Sequence, residues 1–296
     1  MAILFTGDLH GAAGIKRLDP VSFPEGEVLD RKDFVIIAGD FGVIQAHGGI
    51  TREEHHLLEW LSQRPWTTLF IDGNHEHMPR LLSLPLEDRF GGRVGRAARN
   101  VYYLRRGERY DIDGRLLLCL GGAFSIDRAN RVCGETWFQE EIPTLLDVEA
   151  TKRSAAKGPV DVMLTHTCPS DIKTLLPLYL NSMSDPTEHI LSELRPLAQP
   201  RFWIFGHHHV NWRGYEEGIH YTCLFDEIAL LDPKLGIIPL GKKPLTRTKV
   251  QGAALIISAS NDKQVTPKPK RPVTSTRTTL PTVSTPSDGF RTWGGE

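Results

Sequence analysis

A chain of 296 residues, 40% hydrophobic and 24% charged, has an ordinary soluble composition and the length of one large domain or two smaller ones. Thirty-five basic against thirty-six acidic residues leave a formal charge of −1, which excludes a protein held on polyanions by bulk charge alone. No apolar run approaches the roughly 20 residues of a bilayer span and no basic, apolar leader opens the chain, so neither membrane insertion nor secretion is expected.

In chain order, short apolar runs bounded by turn residues predict buried strands at 3–6, 34–38, 67–71, 116–120, 160–165 and 201–205. Thr51, with Glu54 three residues on, announces a helix carrying Leu57, Leu58 and Leu61 on one face. Asp185, Pro186 and Glu188 announce another, with Ile190, Leu194 and Leu197 at helical spacing. Strands alternating with helices indicate the α/β class, and the strand-like stretch after Tyr215 predicts a second, partly antiparallel sheet.

The chain changes character after Gly241. Residues 242–277 hold nine Lys or Arg and one acid, a net of +8, and fifteen of the twenty-seven residues of 262–288 are Pro, Ser or Thr. Such a segment cannot bury enough to offset the entropy of ordering. The expected organisation is therefore a folded body over 1–241 and a basic, largely disordered tail over 242–296, within which 253–257 has the pattern of one short strand or helical turn. The tail has the charge to hold a nucleic acid by counterion release. Cys119, Cys133, Cys168 and Cys223 lie far apart with no C-x-x-C pair, which reads as reduced thiols in a cytoplasmic protein.

Each of five predicted strands stops in a short polar cluster: Gly7, Asp8, Leu9, His10 after the first; Gly39, Asp40 after the second; Gly73, Asn74, His75, Glu76 after the third; then His166, and Gly206, His207, His208, His209. Carboxylate, imidazole and amide oxygen together suit Mn, Fe or Zn better than Ca or Mg. Asp8 and His10, and likewise His207 and His209, are two apart, which in extended backbone puts both side chains of each pair on one face. Asp40 is the natural carboxylate for two ions to share. His208 would point the other way, and His55 and His56 read as helix surface.

The order G-D-x-H, G-D, G-N-H-E, a lone His, then G-H-x-H resembles the calcineurin-like metallophosphoesterases over residues 1–241. The resemblance implies two packed, mixed β-sheets flanked by α-helices, a four-layer sandwich with its site on loops at one edge. It implies two divalent ions, manganese first with iron or zinc as alternatives. Asp8, His10, Asp40 and His209 would hold one ion, and Asp40, Asn74, His166 and His207 the other. It further implies hydrolysis of a phosphate ester, monoester or diester, by in-line attack of a metal-bridging hydroxide, with His75 acting near the leaving-group oxygen. The Ser/Thr protein phosphatase branch extends the second block to G-D-x-V-D-R-G, whereas here Asp40 is followed by Phe41, Gly42 and Val43. That departure leaves His75 without its usual carboxylate partner and makes protein phosphatase an alternative only, beside a catalytically silent metal-binding scaffold. The stretch 121–131 has the position of a substrate loop, and its Arg128 and Arg131 have the right chemistry for phosphate oxygens.

Overall fold

The computed structural model describes residues 1–177, 185–232, 234 and 236–240, and the backbone of 246–248 and 256–258. The first three strands, β1 (Ile3–Thr6), β2 (Phe34–Ile37) and β3 (Thr67–Phe70), run parallel and side by side. They are joined by β4 (Leu86–Arg89), β5 (Gly92–Ala98), β6 (Val101–Leu104) and two late strands, β13 (Ile228–Asp232) and β14 (Gly236–Pro239), in the order β14-β13-β1-β2-β3-β6-β5-β4. The second sheet has the order β11-β12-β10-β9-β8-β7. Its strands are β7 (Arg109–Ile112), β8 (Arg115–Leu120), β9 (Val162–Thr165), β10 (Phe202–Phe205), β11 (Trp212–Glu216) and β12 (Ile219–Cys223). Both sheets are mixed, as expected, because hairpins flank parallel centres.

The period-2 alternation of strand side chains makes the layers. Ile3, Phe5, Phe34 and Ile36 of one sheet pack with Leu117, Cys119, Val162, Leu164 and Ile204 of the other. Leu4, Val35 and Ile37 face outward onto Leu61 and Trp66, around the helix α1 (Arg52–Ser62). On the opposite side Leu118, Met163, Trp203 and Phe205 meet Val148, Leu191 and Leu194 of the helices α3 (Leu145–Ala155) and α5 (Pro186–Ala198). Two short helices, α2 (Met78–Leu82) and α4 (Ser170–Lys173), complete the α-helices among the described residues. Each fully buried aliphatic or aromatic side chain contributes about 1.5–3 kcal/mol, so strands four residues long suffice when both faces are covered.

Local details correct the sequence reading. Thr51 does cap α1 by accepting from the Glu54 amide, but the Glu54 carboxylate does not return the bond and instead pairs with Arg80 at 2.6 Å. The complete capping box is at Thr144 and Asp147, which starts the helix α3 that the sequence reading passed over. The buried stripe of α5 runs through Thr187, Leu191, Leu194 and Ala198, so Leu197 faces solvent rather than the core. Among the described residues no helix is long and apolar enough to cross a membrane. Most of the expected tail, 242–296, lies outside the described residues; within it Thr246–Thr248 pairs antiparallel with Ile256–Ser258, whereas 253–255 are not described.

Candidate metal centre

The polar clusters follow the carboxyl ends of parallel neighbours, β1, β2 and β3 in one sheet and β9 and β10 in the other, which is where α/β folds collect functional groups. The structure brings all eight expected residues to this edge. Ligand-type atoms of Asp8, His10 and His209 lie within 4.8 Å of one another, as do those of His10, Asp40 and His75, and those of Asp40, His166 and His207. Asn74 joins the last group with Oδ1 3.2 Å from His166 Nε2.

The loops are not extended, so strand alternation is not what aims the paired residues. His10, Asp40, His207 and His209 all adopt left-handed backbone, with φ of 49°, 43°, 67° and 51°. Side chains other than glycine, asparagine and aspartate avoid this region, at a cost of about 1–2 kcal/mol per residue. Surrounding bonds hold them there. The amides of Leu9 and His10 both donate to Asp40 O at 3.0 and 2.9 Å, and the His207 amide donates to the Asp8 carboxylate at 3.0 and 3.1 Å. Two glycines are required by close approach: a Cβ on Gly39, which also has φ of 89°, would strike the His166 ring, and one on Gly73 would strike Asp40.

Asp40 sits at the centre. Its Oδ1 accepts from the Asn74 and His75 amides at 3.0 and 3.1 Å and lies 3.3 Å from His166 Nε2, while Oδ2 faces His10 at 3.8 Å and His75 at 3.9 Å. Burial works against its charge, but His166, His75 and His10 outweigh burial and hold the carboxyl below its usual range. Burial pushes Asp8 up to about 7 and His10 down to about 4. His166 donates from Nδ1 to Ala38 O at 2.9 Å, which leaves Nε2 for the cluster. Burial opposes a proton on that ring, yet Asp40 and Asp8 raise it to about 10. The two buried carboxylates thus draw positive charge onto His166, while burial lowers the imidazoles of His10, His75, His207 and His209, and His10 Nε2 stands only 3.1 Å from His209 Nε2. Such a set of oxygen and imidazole donors fits borderline divalent cations.

The surroundings answer what faces His75. Val43 is buried and apolar at the usual carboxylate position. Glu76 turns inward, accepting from the amides of Gly42 at 3.0 Å and Gly73 at 2.6 Å, and so ties the second loop to the third; burial raises it to about 8. Asp72 is taken by Arg106 at 2.6 Å and by the Tyr103 hydroxyl at 2.8 Å. The partner of His75 is Arg131, whose Nη2 lies 3.2 Å from Nε2 and whose Nη1 donates to Asn74 O at 3.2 Å. Burial, helped by Arg131, keeps the His75 imidazole below its ordinary pKa. Arg128 does not join it; its guanidinium lies over the Phe124 ring at 4.5 Å.

His208 is turned away from the cluster onto Thr167 Oγ1 at 3.1 Å and Cys168 Sγ at 3.5 Å. Cys168 is buried and its thiol pushed well up, which leaves no thiolate for nucleophilic chemistry. Sequence reasoning missed Arg17, which donates to Gly7 O and Asp8 O at 3.1 and 3.2 Å and fixes the first loop. It also missed Glu141, which lies between the 121–131 stretch and His166 and in none of the motifs.

A two-sheet sandwich with buried aspartates, histidines and an asparagine at the carboxyl ends of its strands defines a class of metal-using hydrolases. The chain belongs to the calcineurin-like phosphoesterases, whose sequence model matches residues 1–211. Among curated proteins it is similar to the lariat debranching enzyme of Schizosaccharomyces pombe, 25% identical over 222 residues, covering 66% of this chain and 46% of that protein. Lariat debranching enzyme A of Xenopus laevis is likewise 25% identical over 242 residues, covering 73% of this chain and 44% of the relative. The chain thus spans less than half the length of these relatives. One solved structure superposes with a TM-score of 0.51 at 13% identity, over 81% of this chain and 99% of the other, a likeness of fold alone.

Proposed function

We propose that this chain hydrolyses a phosphate ester with two divalent cations, manganese first among them, held by Asp8, His10, Asp40 and His209 on one side and by Asp40, Asn74, His166 and His207 on the other. The observation that carries the reading is Asp40, whose two carboxylate oxygens face the two groups of donors. Cations held there would supply an acidified water and neutralise charge on the phosphate oxygens. Glu76 and the amides of Asn74 and His75 keep the Asp40 carboxylate in place. Arg131 binds a non-bridging oxygen, with Arg128 an outer contact. Burial and Arg131 disfavour a proton on His75 in the free protein; a phosphate anion beside it would favour one, and the imidazolium would then donate to the leaving-group oxygen.

The relatives named lariat debranching enzymes make a phosphodiester the first substrate to test and a monoester the second. Residues 1–241 would be the catalytic body and 242–296 a basic tail that holds nucleic acid near the site. The four free cysteines fit a cytoplasmic protein. Metal-stripped protein resupplied with Mn2+, Zn2+ or Mg2+ should hydrolyse an aryl phosphate diester, and Asp40→Asn should lose that turnover while keeping the fold. Turnover unchanged by chelation or by Asp40→Asn would refute the reading.

A further inference from the structure

An asparagine offers a cation an oxygen only when its amide is turned the right way, and the two ends of an amide are nearly the same size. The turn of Asn74 is decided outside the cluster. Its Nδ2 donates to Ser125 Oγ at 3.1 Å. Ser125 Oγ in turn donates to Glu141 Oε2 at 2.6 Å, and the Ser125 amide donates to Oε1 of the same carboxylate at 2.7 Å. A serine hydroxyl has one proton. With that proton committed to Glu141, Ser125 Oγ meets Asn74 as an acceptor only, and an amide oxygen in that place would set lone pair against lone pair. Nδ2 is therefore fixed on Ser125 and Oδ1 toward His166.

Neither residue is open to water that would substitute for it: Ser125 is 1% exposed and Glu141 2%. The relay is anchored at its far end as well, since Arg106 Nη2 donates to both Glu141 O and Asp72. Burial raises Glu141, and the two bonds from Ser125 work against that rise by favouring the charged acceptor.

We propose that Ser125 and Glu141 are positioning residues of the metal centre: they hold the Asn74 amide in the one orientation that gives a cation an oxygen, and so set the affinity of the half formed by Asn74, His166 and His207. The inference rests on the ligand assignment made above. It makes a specific claim about Asn74, because an aspartate in its place, with two equivalent oxygens, would need no such orientation.

Calorimetric titration of metal-stripped protein with Mn2+, with bound metal counted after dialysis, tests this in four forms: wild type, Ser125→Ala, Asn74→Asp and the double variant. Wild type should bind two ions. Ser125→Ala should bind one as before and the other about 10–100-fold more weakly, the range for partners that orient a ligand. In the Asn74→Asp background the same Ser125→Ala change should cost less than about twofold, because the cycle removes the orientation requirement. A merely structural role for Ser125 predicts equal losses in both backgrounds and a lower melting temperature without metal, and that result overturns the proposal. So does a Ser125→Ala protein that binds both ions like wild type. Failure of wild type to bind a second ion would instead refute the ligand assignment, and the inference with it.

Discussion

Within the cluster, His166 is fully buried and Asn74 nearly so, whereas His10 keeps 27% of its side chain exposed and His209 53%. The buried side is held by directed bonds, from His166 to Ala38 O and from Asn74 to Ser125. On the open side Asp8 is held by the His207 amide, but the two exposed imidazoles rest on rings: His209 stacks on Phe225 at 4.6 Å, Arg17 lies over that ring at 5.9 Å, and His10 meets His209 edge to face at 5.2 Å. Directed bonds to a packed scaffold fix orientation tightly, and ring contacts leave freedom to shift. On the ligand assignment proposed above, His166 and Asn74 are the more tightly oriented donors and the imidazoles of His10 and His209 the freer ones. The buried half should hold its cation while the open half exchanges, with the substrate entering on the open side.

Asp40→Asn strikes both halves together and should have the largest effect, lowering turnover by about a thousandfold or more, beyond the 10–100-fold typical of an outer partner. Steady-state kinetics with circular dichroism as a fold control would check it; a loss under tenfold would mean that the halves do not share this carboxylate. Arg106→Ala should come next, damaging the support of the buried half alone. It leaves the Asp72 carboxylate buried without its cation, at a cost of about 3–5 kcal/mol read from denaturant unfolding. Stability within 1 kcal/mol of wild type would show that Tyr103 alone suffices.

Removal of metal gives an intermediate effect. Saturation at about 100 times Kd stabilises a folded protein by about 2.7 kcal/mol, so chelation should lower the melting temperature. In a chelator chase, two release phases of different rate are expected, and a single phase would erase the contrast between the halves. The smallest change is Phe225→Ala, which loosens the stack beneath His209. It should speed only the fast phase, by a few-fold, and leave the slow phase untouched. An altered slow phase would show that the rings hold the whole centre.

The central strands were legible because apolar runs with turns at both ends survive in any context: 3–6 and 116–120 lie within the observed β1 and β8. The motif residues were legible for the same reason, as polar interruptions at strand ends. The hairpin strands between 86 and 112 were not, since the edge strand β4 is largely exposed and its sequence is charged. Nor was α3, whose first turn carries Leu145 and Leu146 at 85% and 81% exposure and so spoils the amphipathic pattern. Nor does a count of the arginines in 89–109 reveal partners distant in sequence. Arg106 is buried on Asp72, Arg109 donates to the carbonyls of Ser154, Gly158 and Pro159, and Arg89 and Arg96 pair with Glu87. His208 was placed off the cluster for the wrong reason, because left-handed turns at its two neighbours, rather than strand alternation, rotate it away. Such turns leave no mark on a sequence when the residue is histidine.

Those left-handed positions put function and durability in opposition. Glycine is the residue best suited to the backbone at His10, His207 and His209, so replacing any of them with glycine relieves the chain while deleting the side chain that matters. A population of this gene selected for thermal tolerance alone would be expected to slide toward glycine at these three histidine sites. Their retention would then record continuing selection for chemistry, and their loss would be among the earliest marks of a lineage that no longer needed it.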